Sequence, residues 1–278
     1  MKKSVSLAVQ TDSIFSPFRA AEFEQGLDWA QAIGAHGVEL IVHRPDDIDC
    51  LKLKTMLSER GLSVSTLATG QAVMDGLSLT DPDPGVRAES IIRMESHFRM
   101  SEKLGRPNVT VGLIRGKSNA AEIGSGLERL KEALYVLAEK SNGLGITINL
   151  EPINRYECAL LNSCEETLAF LDDIGNPAGI GILFDTFHAN IEDQEPCGLI
   201  KKLSGNISHV HLADSNRRLP GEGHIDFSNI MRSLKHAGFN GYGSLEILNL
   251  PDCSHVIGNA GACLNALFMS PVHKQNTD

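Results

Sequence analysis

The sequence lacks the features that mark membrane and nucleic-acid-binding proteins. None of its 278 residues lies in an apolar stretch approaching the roughly 20 residues of a membrane helix, and the N-terminus has no hydrophobic region followed by a cleavage site. The 25 lysine and arginine residues are scattered, and the net charge is −10. Because binding to a DNA or RNA backbone requires a concentrated cationic surface, we expect no nucleic-acid partner and no membrane association.

Cysteine pairs and nucleotide-binding loops are also absent. The six cysteines form no C-x-x-C motif and are too sparse for a disulfide-stabilised scaffold, which predicts reduced thiols and a cytoplasmic location. No G-x-G-x-x-G follows a strand-like run, and the segment GLIRGK is too short for a phosphate-binding loop. We therefore expect no nucleotide cofactor.

What the sequence does contain is a regular alternation of strand-like and helix-like segments. The helix-like segments carry apolar residues at spacings of three and four, as in Leu127, Leu130, Leu134 and Leu137. The eight strand-like runs are residues 4–9, 37–42, 63–69, 108–114, 146–152, 179–185, 207–214 and 242–247. Eight repeats of strand and helix predict an α/β fold, the (β/α)8 or TIM barrel.

The chain is predicted to form a single domain. No linker rich in Pro, Gly or Ser divides it, and a hydrophobic content of 42% suffices for one large core. We therefore assign the barrel to residues 1–278, with 270–278 as a polar, flexible tail. Within it, Asp81 and Pro82 are predicted to open a long helix that ends near Leu104.

Four of the strand-like runs close with a side chain that can bind a metal ion. These residues are Glu151, Asp185, His211 and Glu246. One polar residue at a strand end is ordinary loop polarity, but four in successive strands predict a divalent-metal site at the C-terminal mouth of a barrel. Three carboxylates and one imidazole favour Mn²⁺, with Mg²⁺, Co²⁺ and Zn²⁺ as alternatives. The sequence thus indicates a metal-dependent enzyme.

These residues belong to longer motifs that resemble a known family. The segments LEPINRYE, ILFDTFHANIE, HVHLADSNRRLPGEGHIDF and SLEI resemble the xylose isomerase-like barrel superfamily of sugar isomerases and epimerases, especially the ketose 3-epimerases of D-tagatose and D-psicose. ATGQAVMDGLSLTDPD, GLIRG, ECALLNS and ADSNR are similar to the 5-keto-L-gluconate epimerases. The resemblance implies an isomerase of carbohydrate metabolism that epimerises a keto-sugar or keto-sugar acid, and that assembles as a dimer or tetramer.

The resemblance also implies roles for individual residues. Glu151 and Glu246 would serve both as metal ligands and as the catalytic acid/base pair, while Asp185 and His211 complete the coordination. Inverting a carbon beside a ketone requires one proton-transfer group on each face. Strands five and eight lie on different sides of a closed barrel, so their glutamates can flank a substrate whose enediolate the metal stabilises.

Three further residues match the positions that bind substrate in the family. Glu157 would contact the terminal hydroxyl or carbonyl end, and His188 and Arg217 would hold the ketone and a neighbouring hydroxyl. Read without the motif, His188 is a packing or capping residue and Arg217 a solvated arginine. The resemblance therefore carries these three assignments.

Polar residues at the ends of strands one, three and four depart from the ketohexose pattern. Gln10, Thr11 and Asp12 stand where enzymes acting on free ketohexoses usually have apolar or aromatic residues. Together with Gln71 and Arg115 they suit a sugar-acid carboxylate, and ordinary loop polarity accounts for them equally well. The exact substrate stays open.

Several activities remain alternatives on the same scaffold. An aldose-ketose isomerase of the hydroxypyruvate isomerase type and an inosose or dehydroshikimate dehydratase share the metal and the first proton abstraction. A non-catalytic sugar-binding barrel is a further alternative from another class. An endonuclease is disfavoured, since ATGQA and GLIRG lack the additional histidines of a three-zinc cluster and the net charge is −10.

Overall fold

Eight parallel strands pair in chain order and close into a barrel through contact between the first and the last. The computed structural model describes residues 1–117 and 120–269, so the predicted tail at 270–278 lies outside the described residues. The strands are β1 Lys2–Ala8, β2 Gly37–Ile41, β3 Ser63–Ala68, β4 Asn108–Val111, β5 Ile148–Leu150, β6 Ile180–Asp185, β7 Ile207–Leu212 and β8 Tyr242–Leu245. The predicted TIM barrel is confirmed.

Helices cover the outside of this barrel. In the described part of the chain they are α1 Phe23–Ala32, α2 Cys50–Glu59, α3 Pro84–Lys103, α4 Ile123–Gly143, α5 Cys164–Asp173, α6 Thr186–Glu192, α7 Pro196–Lys202, α8 Phe227–His236 and α9 Cys253–Met269. None of them combines the length and apolar character that crossing a membrane requires.

The long helix α3 begins at Pro84 rather than at Asp81. The carboxylate of Asp83 accepts a backbone N–H of the first turn at 2.7 Å, so it acts as the N-cap. Its C-terminal end agrees with the sequence, because Lys103 is the last helical residue and Gly105 adopts a φ of +96°.

Several strands end earlier than the sequence runs predicted. β4 stops at Val111, because Gly112 leaves extended geometry with φ −103° and ψ −117° and a 3-10 turn follows over Leu113–Arg115. β5 and β8 likewise end one residue before Glu151 and Glu246. The carboxylates therefore lie at the point where each strand opens into the mouth of the barrel.

The barrel has an apolar outer layer and a polar interior. Apolar side chains such as Leu7 and Leu27 fill the space between strands and helices. The interior is lined by the buried polar side chains of Ser4, Ser6, Glu39, Thr66, Thr110, Asn149, His209 and Ser244. Asn149 Nδ2 donates to Thr66 Oγ1 at 3.0 Å, and Asn108 Nδ2 donates to Asn149 Oδ1 at 2.9 Å. These hydrogen bonds link side chains from different strands across the interior.

Candidate metal centre and substrate cavity

The four residues predicted as metal ligands meet at the C-terminal mouth. Asp185 ends β6, His211 is the penultimate residue of β7, and Glu151 and Glu246 directly follow β5 and β8. Asp185 also caps α6, since its Oδ1 accepts the backbone N–H of Phe187 at 2.7 Å. Its other oxygen therefore remains directed to the centre of the barrel.

One atom from each of these four side chains lies within 4.8 Å of all the others. His211 Nδ1 lies 3.3 Å from Glu151 Oε1 and 3.5 Å from both Asp185 Oδ2 and Glu246 Oε2. His211 Nδ1 and Asp185 Oδ2 are buried and make no hydrogen bond. Because buried polar atoms normally have partners, two unpartnered atoms facing each other among three carboxylates fit a divalent cation.

A fifth residue, Glu39 of β2, supports His211 from behind, and the sequence interpretation missed it. Both Glu39 oxygens lie 3.1 Å from His211 Nε2, and Glu39 Oε2 lies 3.3 Å from His209 Nε2. His209 Nε2 also lies 2.9 Å from Ser244 Oγ. A carboxylate on the outer nitrogen of an imidazole holds the proton there and leaves the inner nitrogen free for a metal. The available signal was one acidic residue inside the apolar run GVELIV.

Charge compensation controls protonation in this buried cluster. Burial alone would raise the pKa of Glu39, but His211 and His209 hold that pKa below its usual range. Burial likewise opposes the ionised form of His211, yet Glu39 and Glu246 raise the pKa of His211 well above its usual value. Burial raises the pKa of Asp185, and His188 and His211 outweigh it, so the pKa lies below its ordinary range.

Glu246 differs from its neighbours because desolvation dominates. Burial raises the pKa of Glu246 to about 8, against the lowering effect of His211 and Arg217. Arg217 Nη2 lies 3.1 Å from Glu246 Oε2, and its Nη1 lies 2.9 Å from Glu157 Oε1. The guanidinium thus bridges one predicted acid/base residue and one predicted substrate residue.

Two aromatic rings, which the sequence interpretation also missed, hold Arg217 in place. Its guanidinium carbon lies 4.6 Å from the ring centre of Phe15 and 4.7 Å from that of Phe187. Phe15 follows β1 and Phe187 lies in α6, so rings from two elements enclose the cation. Arg217 itself adopts a φ of +59°.

His188 lies on the cavity wall beside the cluster. Its Nε2 lies 3.7 Å from Asp185 Oδ2, and its Nδ1 lies 2.8 Å from Asn154 Nδ2. The ring is 3% exposed, so its contacts inside the protein determine its orientation.

A cavity of about 290 Å³ opens above the cluster. Its polar lining includes six predicted site residues, Glu151, Glu157, His188, His211, Arg217 and Glu246, and also Asp12, Glu39 and Gln71. Its apolar side is formed by Phe15, Ile41, Val73, Met74, Leu113 and Ile153. The six polar residues include every sequence-predicted site residue except Asp185, which lies beneath them. A small polar molecule can therefore contact all the predicted substrate residues at once.

Of the polar residues at the ends of strands one, three and four, Asp12 and Gln71 line the cavity, and structural hydrogen bonds hold several of these side chains. Gln10 Nε2 donates to the carbonyl of Arg44 at 2.8 Å, and Gln71 Nε2 donates to the carbonyl of Thr11 at 2.9 Å. Arg115 is fully buried and is not among the residues that line the cavity. The arginine of the hypothetical carboxylate site therefore does not face the substrate space.

Comparisons with known proteins agree with this architecture. The sequence profile of the family described as xylose isomerase-like TIM barrel matches residues 27–260. The ketose 3-epimerase of Arthrobacter globiformis is 26% identical over 254 residues, which cover 84% of this chain and 86% of that protein. The L-ribulose 3-epimerase of Mesorhizobium japonicum is 30% identical over 225 residues, 79% of this chain and 73% of the relative. The crystal structure of D-psicose 3-epimerase with D-tagatose from Clostridium cellulolyticum H10 superposes with a TM-score of 0.81 at 20% identity, covering 96% of this chain and 98% of that one.

Proposed function

Because the chain belongs to the xylose isomerase-like TIM barrel family, we propose that it is a metal-dependent epimerase of keto-sugars. The substrate is a free keto-sugar or keto-sugar acid, and the reaction inverts a carbon adjacent to its ketone. The observation that carries this proposal is the pair of glutamates, Glu151 and Glu246, that reach one buried cluster from strands on different sides of the barrel. The names of the relatives, which are ketose and ribulose epimerases, support the same reaction class.

The two glutamates supply the proton transfers. Glu151 follows β5 and Glu246 follows β8, so they are separated by three strand positions in a closed eight-stranded barrel. One carboxylate removes the proton from one face of the carbon, and the other carboxyl returns a proton to the opposite face. Both carboxyl groups reach the same buried cluster, so each can act as the base for one epimer and as the acid for the other.

We propose Glu151, Asp185, His211 and Glu246 as the residues that hold a divalent cation, with Mn²⁺ favoured by the oxygen-rich set. When bound, such a cation supplies Lewis-acid stabilisation of the negative charge that develops on the ketone oxygen. Asp185 and His211 serve only to hold the cation, because the pair of residues that reaches the substrate from different sides of the barrel is Glu151 and Glu246. Glu39 keeps the outer nitrogen of His211 engaged.

Three residues orient the substrate. Glu157 Oε1 already accepts hydrogen bonds from Arg217 and Asn154, at 2.9 and 3.0 Å, which leaves Oε2 to accept a terminal hydroxyl. His188 and Arg217 line the same cavity and donate to the ketone and hydroxyl oxygens. Their fixed positions reduce the entropy that the substrate must lose in order to react.

Proton exchange tests the reaction directly. The protein loaded with Mn²⁺ would be incubated in D₂O with D-fructose, D-tagatose, 5-keto-gluconate and hydroxypyruvate, and the products followed by NMR. We expect deuterium at the inverted carbon of an epimer. An aldose product indicates the isomerase, a dehydrated ring indicates the dehydratase, and absence of exchange with the metal bound indicates a sugar-binding protein. Each of these three outcomes overturns the epimerase proposal.

The family resemblance also leads us to propose a homodimer or homotetramer. Sedimentation equilibrium of the full chain measures this directly. A monomer at micromolar concentration contradicts it.

A further inference from the structure

We propose that Asn154, in the loop after β5, is a positioning residue that fixes the proton of His188 on Nε2 and orients Glu157. The tautomer of His188 follows from hydrogen-bond geometry alone. Its consequence for turnover rests on the proposed epimerase function. Asn154 is 1% exposed, so water does not compete for its hydrogen bonds.

The orientation of the Asn154 amide is fixed by its neighbours. Its Oδ1 accepts the backbone N–H of Tyr156 at 3.0 Å, and only an oxygen can do so. Its Nδ2 lies 3.0 Å from Glu157 Oε1, and an ionised carboxylate oxygen accepts hydrogen bonds only. Rotating the amide by 180° would break both hydrogen bonds. The second N–H of Nδ2 therefore faces His188.

His188 Nδ1 receives two donors from the same residue. Asn154 Nδ2 lies 2.8 Å away and the backbone nitrogen of Asn154 lies 3.3 Å away. A backbone N–H can only donate, so Nδ1 is the unprotonated, accepting nitrogen. The proton of the neutral ring is then on Nε2, which lies 3.7 Å from Asp185 Oδ2 on the cavity side. Asn154 thereby makes His188 a hydrogen-bond donor towards the substrate.

The same amide sets the free oxygen of Glu157. Glu157 Oε1 accepts from both Asn154 Nδ2 and Arg217 Nη1, so Oε2 is the oxygen left for a substrate hydroxyl. The side chain of Asn154 thus determines two groups that face the substrate: the Nε2–H of His188, which donates, and the Oε2 of Glu157, which accepts. This division matches a substrate that presents a carbonyl oxygen and a hydroxyl.

A purely structural role for Asn154 can be separated from this one, because another asparagine stabilises the loop. Asn162 Nδ2 donates to the carbonyls of Ile153 and Cys158, both at 2.7 Å, and has no hydrogen bond to His188 or Glu157. Asn162→Leu is therefore a matched control that removes loop hydrogen bonds and leaves the imidazole contact unchanged.

Nitrogen-15 NMR of the His188 ring tests the tautomer without any substrate. In the wild-type protein we expect Nε2 protonated and Nδ1 bare, and in Asn162→Leu the same pattern. Asn154→Leu removes the 2.8 Å side-chain donor and keeps only the longer backbone N–H contact at 3.3 Å, so a measurable fraction of the ring should shift to the Nδ1-protonated tautomer. Asn154→Asp should move a proton to Nδ1, because its carboxylate accepts where the amide donated. A protonated Nδ1 in the wild type, or an unchanged pattern in both Asn154 variants, overturns the proposal.

Activity provides the second readout. Asn154→Leu should lower kcat by about 10- to 100-fold, with Mn²⁺ affinity unchanged, as expected for loss of a residue that orients a functional imidazole. Asn162→Leu should change kcat by less than about 3-fold. If the wild type has no epimerase activity, the proposed function fails and the NMR pattern still decides the tautomer. If Asn162→Leu loses as much kcat as Asn154→Leu, the effect of Asn154 is only structural.

Discussion

The carboxylate of Glu39, from β2, lies 3.1 Å from Nε2 of His211, from β7, although three positions separate their strands around the closed barrel. Both side chains are buried, and within the described part of the chain the imidazoles of His211 and His209 are the groups in ionic contact with Glu39. Glu39 therefore stabilises one orientation and one protonation pattern of His211. Its influence on metal binding can be measured although it is not itself a predicted ligand.

We expect Glu39→Gln to weaken Mn²⁺ binding by about 10- to 100-fold, because an amide no longer holds the proton on the outer nitrogen of His211. Isothermal titration calorimetry measures this affinity. Glu157→Gln is the matched control, since it makes the same change in charge at a cavity carboxylate that has no contact with His211. Equal affinities for Mn²⁺ in both variants would contradict the supporting role of Glu39.

Glu246→Gln should reduce epimerisation by about 10²- to 10⁴-fold, because an amide cannot transfer the proton. Glu151→Gln should do the same. Each single variant should still exchange the proton of one epimer with D₂O, since the remaining glutamate acts on its own face. Glu128→Gln, on the exposed surface of α4, should behave as the wild type. Undiminished inversion in either site variant rules out the two-base assignment.

Phe15→Leu should lower kcat/KM by about 5- to 30-fold, which corresponds to about 1–2 kcal/mol for a partly desolvated cation–π contact with Arg217. Steady-state kinetics measures the change. Ile14→Ala is a useful control, because Ile14 also lines the cavity, is 65% exposed and has no ring to stack on the guanidinium. A loss of the same size in both variants would mean that general apolar contact, and not the stacking of Phe15, is responsible.

Gly112→Ala should lower kcat by about 10²-fold, because a Cβ at this position would enter the space of Glu151 Oε2 and displace a proposed acid/base residue. Gly70→Ala adds the same methyl group to the same cavity, where no atom lies within 4 Å, and should have little effect. Kinetics together with the Mn²⁺ affinity of both variants checks this. Equal activity of the two variants would show that Glu151 tolerates displacement.

Acid should destabilise the protein partly through His97 of α3. Burial lowers the pKa of this imidazole to about 4, although the carbonyls of Arg93 and Val42 partly offset the effect. The unfolded chain, with a pKa near 6.5, binds the proton first, so the stabilisation is complete above about pH 6.5 and is lost as the pH falls towards 4. The total is on the order of 3 kcal/mol.

Urea unfolding at a series of pH values between 7 and 4 measures this contribution. His97→Gln should show a smaller fall in the free energy of unfolding over that range than the wild type. His236→Gln, which removes an exposed imidazole, should keep the wild-type slope. Identical slopes in all three proteins would exclude His97 as a source of the acid sensitivity.

The fold and the clustering of the four candidate metal ligands could be predicted from the sequence, because both follow from short local segments. Glu151, Asp185, His211 and Glu246 each follow an apolar run, and parallel strands in a closed barrel present such ends at one mouth. This prediction needs only the order of the strands and the residue at the end of each one. The family assignment is likewise confirmed by the match over residues 27–260.

The supporting residues could not be obtained in the same way, because their contacts depend on geometry across the barrel. Glu39 meets His211 only when β2 and β7 have the observed register around the closed sheet. The contact of Asn154 with His188 depends on how the loop after β5 folds against α6. Neither contact leaves a periodic signal in the chain. The start of helix α3 was also predicted wrongly. Asp81 and Asp83 are equally acceptable N-cap residues and each precedes a proline, so residue type alone does not distinguish them.

The hydrogen-bonded interior of the barrel determines which substitutions can raise the heat stability of this protein. Asn149 hydrogen-bonds to two hydroxyls and one amide on β3 and β4. Replacing it with a larger apolar residue therefore removes one hydrogen-bond partner from each of Thr66, Thr110 and Asn108. A single hydrophobic substitution in this polar interior should therefore lower thermal stability, even when the new side chain has the same volume as the old one. Attempts to raise heat tolerance should therefore change the helical layer and treat the interior polar residues as one unit, to be exchanged together or not at all.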